Sequence, residues 1–229
     1  MSSRRAFSRG RGRTAIAGGG GPPGPASITG LRGLYLSDTS LATDQSGTGN
    51  TLTLSAVTAG SVQNGHTAAR FDGTTSSAVR AVFALGAAGA ITIFAVAKVI
   101  SNGVGDKAIA SYGDGAFDAH GMGHNGGVAL LQNAVASQVG SGSLAAFRRM
   151  CTTQEASAGT DRLYLDGVQD ATQSAVGPVA NSLELAIGRA AGGGQAANID
   201  VLAVAVYAAS LTAPQRLVLD TWAAARYAL

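Results

Sequence analysis

The sequence predicts an all-β domain, a sandwich or a barrel, closed by one helix and preceded by a basic arm. Three observations carry that expectation. From Ile28 onward, short apolar or alternating runs recur between turns rich in glycine, aspartate and serine. Two of those runs, residues 90–100 and 198–207, are apolar on both faces, as central covered strands require. Only residues 210–229 change to the spacing of a helix.

Taken in order, "GLRGLYL" (30–36) is the first strand, and "DQSGTGN" (44–50) is a polar loop in which Gly47 and Gly49 suit positive φ. "TLTLSAV" (51–57) alternates with period two, and "ARFDGTTSS" (69–77) sets an Asp72-Gly73 turn after a strand ending at Phe71. In "AITIFAVAKVI" (90–100), Ile91, Ile93 and Val99 share one face, and Phe94, Val96 and Ile100 the other. "KAIASYGDG" (107–115), "DAHGMGHNGG" (118–127) and "VALLQNAVASQVG" (128–140) follow as strands separated by glycine turns. "RLYLDGVQDAT" (162–172) is a hairpin, because Asp166-Gly167 favours the type I′ turn that matches strand twist. "SLELAIG" (182–188) and "NIDVLAVAVY" (198–207) complete the sheets. Thr212 with Gln215 three residues later forms a capping box, and Pro214 sits where the first turn tolerates it. Val218, Trp222 and Ala225 are expected to pack this helix on the sandwich.

The chain divides into an arginine-rich arm (1–17), a Gly/Pro linker (18–27) and the β body (28–229). Arg4, Arg5, Arg9, Arg11 and Arg13 give the first thirty residues a charge of +5; with +3 overall, the rest carries −2. "SRRAF" and "AIA" resemble the two ends of an export signal, but "SRGRGRT" (8–14) lies where an apolar stretch belongs. No apolar run reaches the roughly 18 residues of a membrane span. Five arginines without interleaved aromatics make only a short phosphate contact, and the body has no basic face to extend it. The arm therefore reads as an anchor to a larger assembly, with contact to packaged nucleic acid as an alternative. The linker "GGGGPPGP" (18–25) supplies freedom and extension.

Charged residues are 13% of the chain, against roughly a quarter in an ordinary soluble domain. Such a surface is poorly protected against association, consistent with burial between copies as a homo-oligomer or with compositional bias alone. Cys151, the single cysteine, lies in the strand "FRRMCTTQEA" and reads as a small buried hydrophobe.

Several stretches together resemble the laminin-G-like members of the concanavalin A-like lectin/glucanase superfamily, of the kind found in phage virion proteins. They are "GLYLSDTSLATDQSGTGNTLTL", "ARFDGTTSSAV", "ITIFAVAKV", "RLYLDGVQD", "LELAIGR", "IDVLAVAVYAASLTAPQR" and "AAARYAL", spanning about residues 30–229. The resemblance implies a jelly roll of two curved antiparallel sheets with a short terminal helix. That fold carries lectins, glycanases and structural modules, so function has to be argued from the site.

A retaining glycanase needs two carboxylates about 5 Å apart, and the family supplies them from one strand. Here Glu155 and Glu184 are the only glutamates, and they fall on different strands. No G-x-S-x-G elbow and no P-loop lysine occur. The expectation is a protein without enzymatic activity. The chemistry-bearing cluster is "YGDGAFDAHGMGHNGG" (112–127), in which His120, Met122 and His124 share one strand face, with Gly121 and Gly123 on the other. The two imidazoles would stand roughly 13 Å apart, too far for one ion within a chain. Tyr112, Asp118, His120, His124 and Asn125 are thus candidates for a glycan or inter-subunit site, set against a plainer reading as exposed residues of a hairpin. The resemblance implies calcium held by loop aspartates, for which Asp38, Asp44 and Asp72 are candidates; Asp44 and Asp72 are equally ordinary turn formers. Tyr35, Tyr112, Phe117 and Tyr164 are the aromatics available for stacking on sugars.

The sequence thus points to a phage-type virion protein, assembled in the host cytoplasm. Its arm would grip other virion proteins, and its lectin-like domain would face a host-surface glycan. A stand-alone carbohydrate-binding module is the alternative.

Overall fold

The computed structural model describes residues 22–86, 89–114, 120–133, 136–157, 159–174 and 177–229. Arg4, Arg5, Arg9, Arg11, Arg13, Phe117 and Asp118 lie outside them. The described chain is all-β apart from one helix, α1 (Ala213–Tyr227), and a 3-10 turn (Pro25–Ser27).

Two antiparallel sheets form a sandwich. The first runs β13 (Val168–Ser174), β12 (Thr160–Leu165), β11 (Arg148–Gln154), β6 (Ile91–Val99), β15 (Asn198–Tyr207), β4 (His66–Asp72) and β3 (Thr58–Gln63), with β1 (Leu31–Leu36) also paired to β15. The second runs β10 (Ser137–Ser143), β9 (Val128–Asn133), β8 (His120–Asn125), β7 (Asp106–Gly113), β14 (Ser182–Ile187), β5 (Ser77–Ala84) and β2 (Thr53–Ser55).

β6 and β15 lie in the middle of the first sheet, as their two apolar faces demand. Ile91, Ile93 and Val99 enter the core between the sheets, while Phe94 and Val96 enter a second cluster on the outer face. That outer cluster lies under α1. Thr212 N–H donates to Gln215 Oε1 at 2.9 Å, and Pro214 sits in the first turn, so the helix starts where its cap residues place it. Its buried face, however, is Leu219, Ala223 and Tyr227 with Asp220, not the expected Val218, Trp222 and Ala225. The 219–223–227 stripe wins because it ends on Tyr227, whose large ring is fully buried and meets His66 edge-on. Trp222 is left half-buried beside Gly24, covering the segment by which the chain reaches the sandwich.

The Asp166-Gly167 turn has φ of 49° and 83°, the type I′ geometry expected. A hairpin not anticipated joins β3 to β4 through Asn64-Gly65, with φ of 47° and 78°. Between the edge strands β10 and β13, the Asp170 carboxylate accepts from the Ser141 N–H and hydroxyl and from the Gly142 N–H. A carboxylate thus ties one flank of the sandwich where no strand ladder continues.

Cys151 is buried on the outer face of β11, and burial pushes its thiol far above its ordinary range. Tyr35, Tyr112 and Tyr164 are likewise buried. The Tyr112 hydroxyl donates to Ala180 O at 2.8 Å and accepts from Leu183 N–H at 3.1 Å. Arg216 lies 3.8 Å over the Tyr164 ring. None of the three tyrosines presents an open face on which a sugar could stack.

Candidate functional site

β8 carries the histidines that the sequence singles out, and pairing fixes where they point. His120 pairs with Tyr112 and His124 with Lys107 across β7, so both imidazoles leave the sheet on the face that carries Met122 into the core. The hairpin reading that left them exposed is overturned: they are 1% and 0% exposed. His120 is sealed at one end of the sandwich, where burial drives its pKa down to about 3 and the Thr152 backbone opposes that fall only in part. Tyr112 and His120 are therefore removed from any surface contact. Asn125 is half-buried and donates to Asp106 Oδ1 at 2.8 Å.

His124 stands at the other end and lines a cavity of about 230 Å³. Both sheets and three connections build this space. The β4–β5 turn contributes Asp72, Gly73 and Thr74, and the β6–β7 loop contributes Ser101 and Gly103. Lys107 comes from β7, and Ala196 and Asn198 from the approach to β15. Asp72 and Asn198 are themselves a cross-strand pair, as are Lys107 and His124. Each sheet thus sends one registered pair to the same place.

Two glycines allow the walls to close. Gly73 holds φ at 76°, and a Cβ there would stand 3.0 Å from Asn198 N. Gly123 lies so close to β7 that a Cβ would come within 2.0 Å of the Lys107 carbonyl.

The polar inventory of the cavity is unbalanced toward donors. Gly127 N–H donates to His124 Nδ1 at 3.4 Å, which leaves the second ring nitrogen, Nε2, carrying the proton; Nε2 has no partner among the described residues. Burial first, and then the Lys107 charge, push the His124 pKa down to about 4, so the ring is neutral at physiological pH. Lys107 forms no ion pair among the described residues. Among the described residues Asp72 is the only carboxylate lining the space; its Oδ1 accepts four bonds and its Oδ2 one. The two oxygens accept from Thr74, Thr75 and Ser76 N–H and from the hydroxyls of Thr75 and Ser76. Those bonds, the Thr75 hydroxyl foremost, hold its carboxyl far below the usual range.

Calcium does not fit these residues. Asp38 is held elsewhere by His66 Nδ1 at 2.7 Å and Arg226 Nη2 at 2.6 Å. Asp44 caps its own loop, accepting from Ser46, Asn50 and Leu34 N–H. Burial works against ionisation at Asp44, yet those donors keep its carboxyl low. The three aspartates do not converge, and an ammonium lines the cavity that holds Asp72. No three His, Cys, Asp or Glu side chains gather as a metal site among the described residues.

Sequence reasoning picked out His124 and Asp72 for different reasons and did not bring them together. It passed over Lys107, Ser101 and Asn198, which belong to no motif and whose only signal is the register of β7 and β15. The two glutamates stay apart in function: Glu155 pairs with Arg162 at 2.8 Å and Glu184 with Arg189 at 3.0 Å. Among the described residues no helix is long and apolar enough to cross a membrane.

No protein-family model matches the chain, and no curated protein matches it by sequence. The fold, in contrast, has many relatives among solved structures. One is domain 4 of AbnA, an extracellular GH43 arabinanase from Geobacillus stearothermophilus, in complex with arabinotriose. Its TM-score is 0.62 at 16% identity, over 84% of this chain and 98% of that one. Another is the sialidase of Trypanosoma rangeli in complex with sialic acid, at TM-score 0.65 and 17% identity, over 85% of this chain. A third is the binding domain of Paraclostridial Mosquitocidal Protein 1, at 0.62 and 11%, also over 85%. The chain spans 33% of the sialidase and 52% of the toxin domain. At these identities the likeness establishes a concanavalin A-like jelly-roll sandwich and nothing finer.

Proposed function

We propose that the β body is a carbohydrate-binding module without enzymatic activity, and that the end cavity is its binding site. The observation that carries this reading is the cavity itself: a recess between the sheet ends where, among the described residues, Lys107 has no ion pair and His124 Nε2 no hydrogen-bond partner. Its 230 Å³ is below the roughly 300 Å³ at which pockets begin to enclose whole drug-sized ligands. One sugar ring or one substituent fits that space. Solved relatives that carry arabinotriose or sialic acid support the same class of ligand. A sugar of roughly twenty non-hydrogen atoms, at about 0.3 kcal/mol per atom, binds with about 6 kcal/mol, a Kd on the order of tens of micromolar. Isothermal titration of the full chain against glycans that bind on an array tests the proposal. Absence of any binding above millimolar affinity would falsify it.

A second reading, display on a phage-type virion, draws on the arginine arm and on one relationship within the fold. The Tyr207 hydroxyl donates to Pro25 O at 3.0 Å, so the chain joins the sandwich at the C-terminal end of β15. Asn198, at the N-terminal end of that strand, lines the cavity. Ten residues of strand put about 30 Å between attachment and recognition. Such a layout suits a module held at one end and offered at the other. Removal of residues 1–21, which leaves Pro25 in place, should abolish incorporation into a particle while the sandwich still folds. Undiminished incorporation would sink the anchor.

A further inference from the structure

We propose that the end cavity binds the negatively charged substituent, a carboxylate or a sulfate, of an acidic sugar, and does so without calcium. This rests on the sugar-binding reading above and names its ligand class. The cross-strand pair Lys107 and His124 supplies the recognition. Lys107 brings an ammonium with no ion pair among the described residues, and His124 brings an Nε2–H with no acceptor. The buried Nε2–H of His124 needs an acceptor oxygen, and no described residue supplies one; Lys107 is half-exposed and takes its partner from solvent or ligand.

The charged groups facing the space are few. Asp72, from the β4–β5 turn, is the one anion of the lining among the described residues, and its own turn places four donors on Oδ1 and one on Oδ2. Asp106, beside Lys107 in sequence, accepts from Asn125 and does not line the cavity. The β6–β7 loop and the approach to β15 bring only Ser101, Gly103, Ala196 and Asn198. An incoming oxyanion therefore meets the Lys107 ammonium first, with the buried Nε2–H of His124, its tautomer fixed by Gly127, in the wall behind. That arrangement selects for charge on the ligand, where a calcium-bridged site would select for vicinal hydroxyls.

The test titrates the full chain with sialyllactose, a sulfated lactose and plain lactose, each with and without EDTA, and repeats the series with Lys107→Met and Lys107→Arg. One or both acidic sugars should bind at least tenfold more tightly than lactose. EDTA should leave that binding unchanged, and binding should weaken several-fold at high salt. Lys107→Met should remove the preference and Lys107→Arg should retain most of it. Lys107 is half-exposed, so neither variant endangers the fold. Preference for sialyllactose alone assigns the carboxylate, and preference for the sulfated sugar alone the sulfate. Equal binding of lactose and the acidic sugars, or indifference to Lys107→Met, overturns the assignment while leaving a sugar-binding module. Loss of all binding in EDTA overturns the calcium-free site. No sugar binding at all overturns both readings.

Discussion

Arg70 on β4 grips Asp200 on β15 through two nitrogens, Nε to Oδ1 and Nη2 to Oδ2, the latter at 3.0 Å. Asp200 is fully buried, and the Ser61 N–H donates to the same carboxylate at 2.9 Å, so three neighbouring strands meet on one side chain. Removing one partner of a buried pair costs about 3–5 kcal/mol, and Lys98 Nζ, 3.9 Å from Asp200 Oδ2, keeps the loss here at the lower end of that range. Arg70→Leu should therefore lower unfolding free energy in urea by about that amount. The double variant Arg70→Leu/Asp200→Leu should recover part of the loss. A loss in the double variant equal to the sum of the two single losses would mean the pair is not coupled.

Asp161 and Asp220 are pushed the other way, both to about 6, chiefly by burial. An acid whose pKa is raised on folding binds extra protons in the native state between its unfolded and folded values. Stability should thus fall as pH rises from about 4 to about 6 and stay lower above that window. At about 1.4 kcal/mol per pKa unit, Asp161 alone accounts for at most about 3 kcal/mol. Asp161→Asn should raise the melting temperature at pH 8 and leave it nearly unchanged at pH 4. A gain of equal size at both values would contradict the assignment.

Asp200 should counter this slope at lower pH. Burial opposes its ionisation, but the bonds from Arg70 and Ser61 prevail and keep its carboxyl low. Its contribution is present above about pH 4 and is lost as pH falls further. Arg70→Leu should therefore flatten the acid limb of the stability profile, which a melting series from pH 2 to pH 5 would read.

Leu219 and Val218 are adjacent on α1, yet only Leu219 is fully buried. Leu219→Ala should cost about 2–5 kcal/mol and Val218→Ala much less. If the two cost the same, the helix docks in a different rotational phase.

Gly123 decides whether the cavity wall can form. Gly123→Ala sets a methyl against the Lys107 carbonyl, and overpacking of that sort costs about 1–3 kcal/mol. It should part β7 from β8 and reduce sugar affinity. Gly47→Ala, in a loop where a Cβ meets nothing within 4 Å, should leave affinity unchanged.

Much of this architecture was readable beforehand, and the misses have physical causes. β6, β15, the Asp166-Gly167 turn and the Thr212 cap are each encoded in contiguous residues, so local rules suffice for them. The hairpin at Asn64-Gly65 carries a strong turn signal, but β3 reads "TAGSVQ", too small and polar to announce a strand. Helical spacing grouped Trp222 with Val218 correctly, but the docked stripe lies one residue further along, set by Tyr227 and His66. Strand parity put His120 and His124 on one face without saying which face looks inward; their partners Tyr112 and Lys107 decide that. The cavity was legible only in fragments, because Asp72, Lys107, His124 and Asn198 meet through sheet register alone.

Pro25, beside the proposed attachment, and Asn198, beside the proposed sugar site, lie at opposite ends of one central strand. A tug between such a carrier and a captured sugar would pass from β1 into β15, loading the hydrogen bonds of that antiparallel ladder side by side instead of peeling them one at a time. A grip built that way yields in shear, so the ligand should detach long before the protein tears.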